Sequence, residues 1–464
     1  MMSVIRAIRK NGKIYFDRIN NERLKTNLLQ ALPFWLAALM TGLVAVFYAK
    51  LFSLAENITG YIIHHNKLLL FLVTPLCFLI AWWLVKRFAP FAAGSGIPQV
   101  MAAIELATPK RHDKVDKLLS LKIICVKIIS SLLMVLGGGI VGREGPTIQI
   151  SASIFRTVNR WLPAWWPKVS KRNMIMTGAA AGLAAAFNTP LGGIVFAVEE
   201  LTKTHISYFK TALFSAIIIA GLTAQALLGP YLYLGYPDVN SQSYTILFWV
   251  IIVAVIAGLM GSIMSRLILA ILKWKATFTR NRQFIFYIIA CGLLVAAAGY
   301  FIDAKAIGSG KEVMTDALFT NNKEVPWYLP LLRIEGLIFS FTSGASGGVF
   351  APSLSAGASI GALLSGWQQL SPQDTNILIL SGMVGFLTGV TRTPFTSAIL
   401  VLEMTNRHNV IFHLMLAGMF ASLVSLIIDR HSFYDHLRIS YLKKVQQEED
   451  IVAPLPEAPQ ERKE

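Results

Sequence analysis

Long apolar runs recur along this sequence, and they limit its fold more than any other feature. A helix needs about 20 apolar residues to cross a bilayer. The runs that approach this length lie at 30–53, 68–87, 119–136, 208–228, 245–272, 284–302 and 409–428. Charged residues make up only 14% of the chain, against roughly 25% in soluble domains. The sequence therefore predicts an all-α polytopic membrane protein.

Other apolar segments begin at Gly or Pro and are only about 10–17 residues long, too short to span a bilayer. They are "GSGIPQVMAAIELA", "GREGPTIQISASIF", "NTPLGGIVFAVEELT", "GGVFAPSLSAGASIGALL" and "TRTPFTSAILVLEMT". Proline fits the first turn of a helix but breaks its interior. We therefore expect half-helices that begin inside the membrane, where protein or a water-filled cavity must satisfy the non-helical backbone.

The sequence also contains an internal repeat. The stretch from Gly142 matches the stretch from Gly348 at an offset of 206, and the stretch from Thr177 matches the one from Ser381 at an offset of 204. The matches within the second pair are Thr189-Pro190 with Thr393-Pro394, and Glu199 with Glu403. Two aligned blocks at nearly one offset predict two structurally related halves.

The expected organisation is one membrane domain in two halves, at 28–228 and 229–444. A cytoplasmic N-terminal segment, 1–27, precedes them, and a Pro-, Glu- and Gln-rich tail, 445–464, follows them and is expected to be disordered. Broken helices at matching positions are typical of transporters with inverted-topology repeats. In such folds tilted and broken helices meet at the midplane, where the substrate binds.

The net charge of +17 is concentrated in a few loops. The basic clusters lie at 6–25, 110–117, 156–172, 266–282 and 430–444. An excess of Lys and Arg in short loops marks the cytoplasmic side of a membrane protein. We therefore place both termini in the cytoplasm and expect no binding of nucleic acid.

Three Gly- and Pro-containing stretches predict an anion site. Helix N-termini carry unpaired N–H groups and the positive end of the helix dipole. Several such ends at one point can bind an anion without a full positive charge, which allows a transported ion to leave again. The residues of the three stretches are Gly94, Ser95, Gly96, Ile97 and Pro98; Gly142, Arg143, Glu144, Gly145 and Pro146; and Gly348, Val349, Phe350, Ala351 and Pro352.

These three motifs, in this order, resemble the selectivity-filter signatures of the CLC family of chloride channels and proton-coupled chloride transporters. The likeness covers nearly the whole chain and is greatest to the short bacterial members without cytoplasmic regulatory domains. The resemblance implies a multi-pass protein of the cell's inner membrane that forms a homodimer. It implies chloride and protons as substrates, with no cofactor and no enzymatic activity.

The resemblance also implies roles for individual residues. Ser95 would offer its hydroxyl to the central anion, and Tyr434, in "RHSFYDHL", a second hydroxyl from the cytoplasmic side. The backbone N–H groups of Val349 and Phe350 would complete that site. Glu144 would be a gate that occupies an anion position when ionised and swings away when protonated.

The physical chemistry of Glu144 supports this role independently. A carboxylate at a helix N-terminus mimics the anion and competes with it for the same N–H groups. The alternative is that Glu144 only caps its helix and pairs with Arg143. Charged residues inside a membrane are costly and usually functional, which favours the gate.

Proton coupling requires a second titratable group on the cytoplasmic side. Glu200, in "FAVEELT", occupies the position that relays protons in exchangers of the resembling family and is replaced in its channels. Glu199 beside it is a candidate helper. The alternative is that the two carboxylates form a solvated helix end that faces residues 203–205.

Two further features are interpreted as structural. Lys127, in the apolar "LKIICVKII", is expected to be a buried lysine near the anion path; the sequence does not identify its partner, and Glu105 is the one candidate. The histidines, His64 and His65 among them, lack the spacing of metal ligands. No metal site is predicted.

The leading hypothesis is therefore chloride–proton exchange, and a passive chloride channel on the same scaffold remains the alternative. Ser95 matches the pattern of chloride-handling members, whereas nitrate-preferring members carry Pro there and fluoride exporters differ more broadly. A membrane enzyme is disfavoured because the spans contain no Ser/His, paired-Asp or metal-ligand constellation. A cation antiporter is disfavoured because the three motifs present N–H groups, whereas cations require oxygen ligands.

Overall fold

The computed structural model is helical almost throughout. It describes residues 22–108, 111–201, 210–229, 232–240, 245–320, 323, 325–368 and 370–450. Residues 1–21, 203–205 and 451–464, which carry parts of the predicted terminal segments and of the predicted solvated helix end, lie outside the described residues. Within the described residues there is no strand, only two isolated β-bridges. The predicted all-α class is confirmed.

The helices are numbered in chain order. The first half contains α1 Glu22–His65, α2 Leu70–Phe88, α3 Ile97–Leu106, α4 Val115–Leu118, α5 Leu121–Leu136, α6 Glu144–Trp161, α7 Lys171–Phe187, α8 Pro190–Phe196 and α9 Lys210–Leu228. The second half contains α10 Ile246–Lys275, α11 Asn281–Ala297, α12 Lys311–Phe319, α13 Leu329–Thr342, α14 Phe350–Trp367, α15 Pro372–Thr391, α16 Pro394–Thr405, α17 Ile411–Ile428 and α18 Phe433–Asp450.

Among the described residues, 8 helical stretches are long and apolar enough to cross a membrane. All but one coincide with a span predicted from the sequence. The exception is Pro372–Thr391, which is less apolar than the other stretches. In its most apolar part 94% of the residues are buried in protein, against 28–50% in the others. Because neighbouring helices surround α15, its Ser, Thr and Gly residues face protein and cost little free energy. Its composition is therefore less apolar than that of a lipid-facing span.

The helices predicted to begin inside the membrane have N-termini buried within the protein. Proline occupies the first turn of α3, α8 and α16, which are 10, 7 and 12 residues long. The helices α6 and α14 begin at Glu144 and Phe350 and are longer, at 18 residues each. Both are buried along most of their length, so their N-termini lie in the protein interior.

The internal repeat is visible in the backbone. Helices α7 and α15 both end at a left-handed residue, Asn188 with φ 58° and Arg392 with φ 62°. These two positions differ by the offset of 204 found in the sequence. In each half a Thr then precedes the proline that starts the next helix.

The repeat also pairs the two halves through matching carboxylates. Glu199, which follows α8, accepts a hydrogen bond of 2.6 Å from the backbone N–H of Thr396 in α16. Glu403 in α16 accepts hydrogen bonds from the N–H groups of Leu191 (3.0 Å) and Gly192 (2.6 Å) in α8. Each half therefore caps a helix N-terminus of the other half with a carboxylate.

Small residues let the central helices approach closely. A Cβ on Gly382 in α15 would overlap the carbonyl of Gly357 in α14 and would stand 3.1 Å from the backbone N of Gly361. Small residues at such crossings are the usual basis of helix packing inside membranes.

The last helix packs against α3. It continues to Asp450, beyond residue 445 where the predicted disordered tail begins, and Val445 is buried.

Candidate functional site

The three predicted motifs come together at the N-termini of α3, α6 and α14. Gly142 and Gly348 form an antiparallel bridge in which each N–H donates to the carbonyl of the other residue over 2.8 Å. Gly94 donates to the carbonyl of Ala345 over 2.8 Å and accepts from the N–H of Gly347 over 3.1 Å. The predicted meeting of half-helix N-termini is confirmed.

Glycine permits this close approach. A Cβ on Gly145, in the first turn of α6, would stand 2.8 Å from the carbonyl oxygen of Ser95 and 3.3 Å from the Cα of Gly348. Any side chain at this position would push α6 away from both other motifs. Gly96 has a φ of 106°, a backbone conformation that only glycine adopts readily.

Two hydroxyl groups lie together beside these N-termini. Ser95 and Tyr434 are buried, their side chains are near neighbours, and neither hydroxyl has a hydrogen-bond partner among the described residues. Buried polar groups nearly always have such a partner. The ring of Phe350, the first residue of α14, stacks on Tyr434 with the centroids 6.3 Å apart. Two adjacent O–H donors at helix N-termini are a suitable arrangement for an anion.

Glu144 is the first residue of α6 and is only 1% exposed. Its carboxylate lies near its own backbone N–H and that of Ala351 at the start of α14. It therefore lies where two helix N-termini present positive partial charge.

The hydroxyl of Tyr233 donates to Oε1 of Glu144 over 3.4 Å. Tyr233 is held edge-to-face against Phe187, with the ring centroids 5.2 Å apart. Tyr233 could not be predicted as a site residue, because nothing in the residue pattern of "GPYLYLGYPD" distinguishes it from its neighbours.

The predicted partner of Lys127 is wrong. Glu105 pairs with Arg438 at 3.0 Å. The ammonium of Lys127 is fully buried and donates to the backbone carbonyls of Ala92 (3.0 Å) and Gly94 (2.8 Å). Backbone oxygens take the place of the expected carboxylate, so Lys127 holds the turn that carries Ser95.

Other polar side chains hold the same turn. The carbonyl of Ala93 accepts hydrogen bonds from Gln99 (2.5 Å) and from Tyr441 in α18 (3.2 Å), and that of Ala92 accepts one from Ser346 (2.6 Å). These residues were not predicted from the sequence. A glutamine inside an apolar helix was the one available signal for Gln99.

The two glutamates that follow α8 have different environments. Both belong to a π-helical turn, Ala197–Leu201, and such turns are frequent at functional sites. Glu200 is buried, and its charge and that of Glu144 both act on Tyr434. Glu199 is committed to the N-terminus of α16. Because Glu200 is buried, the two carboxylates do not form a solvated helix end.

A cavity of about 470 Å³ reaches the residue next to Glu144. It is lined by polar and basic residues that include Lys50, Asn57, Arg143 and Lys311. The ammonium of Lys311 lies 5.0 Å from the ring centroid of Tyr233. This cavity gives an anion a basic approach to the region of Glu144.

The family model for the voltage gated chloride channel matches residues 77–426 of the chain. This match covers most of the sequence and includes the three motifs. The chain belongs to the voltage-gated chloride channel family. The sequence resemblance is thereby confirmed.

Curated relatives agree with this family assignment. The "H(+)/Cl(-) exchange transporter ClcA" of Salmonella arizonae is 28% identical over 442 residues, which cover 91% of each chain. The transporter of the same name from Cronobacter sakazakii is 28% identical and covers 93% of this chain and 94% of its own.

Solved structures share the fold. A slow cyanobacterial Cl⁻/H⁺ antiporter has a TM-score of 0.78 at 23% identity, with coverage of 90% of this chain and 98% of its own. A CLC-type fluoride/proton antiporter has a TM-score of 0.73 at 20% identity, with coverage of 89% and 98%.

For this member of the voltage-gated chloride channel family, the structure brings together most of the residues selected from the sequence. Ser95, Tyr434, Glu144 and the start of α14 form one buried cluster. Glu200 lies within electrostatic reach of that cluster.

Proposed function

We propose that this protein is a secondary active antiporter that exchanges chloride for protons across the inner membrane, with both termini in the cytoplasm. One observation carries the proposal. The buried carboxylate of Glu144 lies at the N-termini of α6 and α14, in the same cluster as the two hydroxyls that have no hydrogen-bond partner among the described residues. The names of the curated relatives support exchange of these two ions.

The anion binds through partial charges. The N–H groups of Val349 and Phe350 point from the start of α14, and Ser95 and Tyr434 add one O–H donor each. Donors of this kind stabilise chloride moderately and let it leave. Lys127 contributes its field from behind the Ser95 turn, where its ammonium donates two hydrogen bonds to backbone carbonyls.

Glu144 couples the anion to the proton. When ionised, its carboxylate competes with chloride for the N–H groups at the two helix N-termini. When protonated, it loses that attraction and leaves the position to the anion. Tyr233 holds the ionised carboxylate in place through its hydroxyl.

Glu200 is the second proton station. It is buried and lies near enough to Tyr434 for the charge to be felt there. A proton can then reach the cluster of Ser95, Tyr434 and Glu144 by a route that is separate from the cavity beside Arg143. We assign Glu199 a structural role, because its carboxylate caps α16.

The experiment is coupled flux in proteoliposomes. Vesicles with high internal chloride are diluted into low chloride, and an external pH electrode records proton uptake. We expect chloride efflux to drive protons inward against their gradient. Glu200→Gln should keep chloride efflux and lose proton uptake, and Glu144→Ala should lose coupling as well. Glu105→Gln is the matched control, since that carboxylate is exposed and paired with Arg438.

Other outcomes would contradict the proposal. Chloride efflux without uphill proton movement in the wild-type protein would identify a passive channel. Uptake of sodium in place of chloride would identify a cation antiporter. A preference for fluoride or nitrate over chloride, measured by competition, would change the substrate.

The homodimer expected from the family resemblance remains a prediction. Cross-linking in the membrane followed by electrophoresis should give a species of twice the chain mass. A protein that stays monomeric at every cross-linker concentration would contradict it.

A further inference from the structure

The loop between α17 and α18 brings three metal-ligating side chains together, although the sequence predicted no metal site. Asp429, His431 and His436 each offer one ligand atom, and these atoms all lie within 4.8 Å of one another. Nε2 of His436 is 3.0 Å from Oδ2 of Asp429. The rings of the two histidines have centroids 5.6 Å apart. The site could not be predicted because the spacing of Asp429, His431 and His436 matches no regular metal-binding motif. The start of α18, which lies between the two histidines, brings their rings together.

The carboxylate of Asp429 is oriented for this role. Its Oδ1 accepts the backbone N–H of His431 over 3.0 Å, which fixes the carboxylate and leaves Oδ2 directed at His436. Second contacts of this kind orient the ligands of protein metal sites. The other nearby acid, Asp435, is paired with Arg438 at 3.2 Å and is not available to the histidines.

Among the described residues, no guanidinium group forms an ion pair with the carboxylate of Asp429. Arg266 donates to the backbone carbonyl of Ile428, and Arg392 donates to that of Asp429 over 3.4 Å. Their positive charge lowers the affinity for any cation. Electrostatic attraction alone is therefore too weak to hold the ion, and the imidazole nitrogens must coordinate it. Imidazole ligands favour a transition metal over Ca²⁺ or Mg²⁺.

We propose that Asp429, His431 and His436 bind one divalent transition-metal ion, with Zn²⁺ as the best match, and that the bound ion inhibits transport. Two imidazoles and one carboxylate form a three-ligand set that leaves a fourth position for water. The site is accessible, since the side chain of His436 is 37% exposed and that of Asp429 is 23% exposed.

Inhibition follows from the position of the ligands along the chain. His431 and His436 flank Phe433 and Tyr434, so one ion would tie the residue before α18 and the end of its first turn to the end of α17. That clamp would restrict movement of Tyr434. The inhibition of transport rests on the proposed function, whereas metal binding itself does not.

Binding is tested in detergent with tag-free protein and Co²⁺ as a spectroscopic probe. We expect the visible absorption of low-coordinate Co²⁺ at one ion per chain, and its loss when Zn²⁺ is added. His436→Ala should lower the affinity by at least about tenfold, as loss of even a supporting contact does in known sites. Asp429→Asn, which keeps the shape of the side chain, should do the same.

The matched control is the double variant His64→Ala/His65→Ala, which removes two histidines at the end of α1. It should bind Co²⁺ like the wild-type protein. A wild-type spectrum identical to that of Co²⁺ in buffer would overturn the site. So would binding that persists unchanged in both Asp429→Asn and His436→Ala.

The clamp is tested by chloride efflux from proteoliposomes with Zn²⁺ on both sides of the membrane. Efflux should fall with the same midpoint as binding and recover on addition of a chelator. His431→Ala/His436→Ala should transport chloride without inhibition by Zn²⁺. Zinc binding with undiminished efflux would overturn the clamp, and absence of chloride efflux without any metal would instead contradict the proposed function.

Discussion

Glu199 and Glu200 are neighbours in one π-helical turn, and we expect opposite results when each is changed to Gln. Glu199 accepts hydrogen bonds from the N–H of Phe395 (3.2 Å) and from the N–H and hydroxyl of Thr396 (2.6 Å each). Glu199→Gln should therefore lower stability and leave proton coupling intact. Glu200→Gln should abolish coupling.

The size of the stability loss follows from these contacts. Glutamine keeps one acceptor oxygen and replaces the other with an NH₂ group, so at least one charge-assisted hydrogen bond is lost, at about 1.5 kcal/mol. Loss of the charge at the α16 N-terminus adds about 0.5 kcal/mol at this half-exposed position. The expected total of about 2 kcal/mol corresponds to roughly a 30-fold change in the unfolding equilibrium.

The internal repeat supplies a second variant with the same expected effect. Glu403 caps α8 through two N–H groups, at 3.0 and 2.6 Å. Glu403→Gln should cost a similar free energy of unfolding, measured by titration with SDS in mixed micelles. A Glu199→Gln protein of wild-type stability that fails to move protons would refute the structural role. It would restore Glu199 as a proton-relay helper.

Three further variants test the geometry of the site. Gly145→Ala should reduce chloride flux by about 100-fold, because a displacement of the α6 N-terminus by even 1 Å can cost that much. Gly366→Ala is the control and should have no effect, because the space around Gly366 is open. Lys127→Met should weaken chloride binding, measured by calorimetry, about tenfold through loss of a nearby charge. The same change at the exposed Lys122 on the same helix is the control, and an equal loss of chloride affinity in both variants would contradict a role for Lys127 at the anion site. Tyr233→Phe should raise chloride turnover about two- to fivefold under alkaline conditions, because one weak hydrogen bond to the ionised carboxylate is lost; unchanged turnover would remove Tyr233 from the gate.

Local chemistry made much of the architecture predictable. Prolines in the first turn set the starts of α3, α8 and α16, and apolar length identified the spans that face lipid. The repeat offset predicted matching positions, and the paired left-handed residues Asn188 and Arg392 follow it. These features depend on residues close together in the chain, so sequence patterns report them directly.

Features that depend on distant contacts were not predictable. Pro372–Thr391 escaped detection because its burial against protein removes the need for an apolar composition. The partners of Lys127 are backbone carbonyls, which leave no mark in a sequence. Tyr233 reaches Glu144 from a loop 89 positions away. The roles of such residues can be assigned only from the three-dimensional structure.

The proposed exchange requires an anion site made of helix N-termini and hydroxyls, and crystals grown in bromide test this site most directly. The anomalous signal of bromide should give a peak in contact with the hydroxyls of Ser95 and Tyr434 and the N–H groups of Val349 and Phe350. A second peak at the position of the Glu144 carboxylate is expected in Glu144→Gln. Bromide found only beside cationic side chains such as Arg143 or Lys311, with none at the helix N-termini, would show that partial charges do not form the anion site.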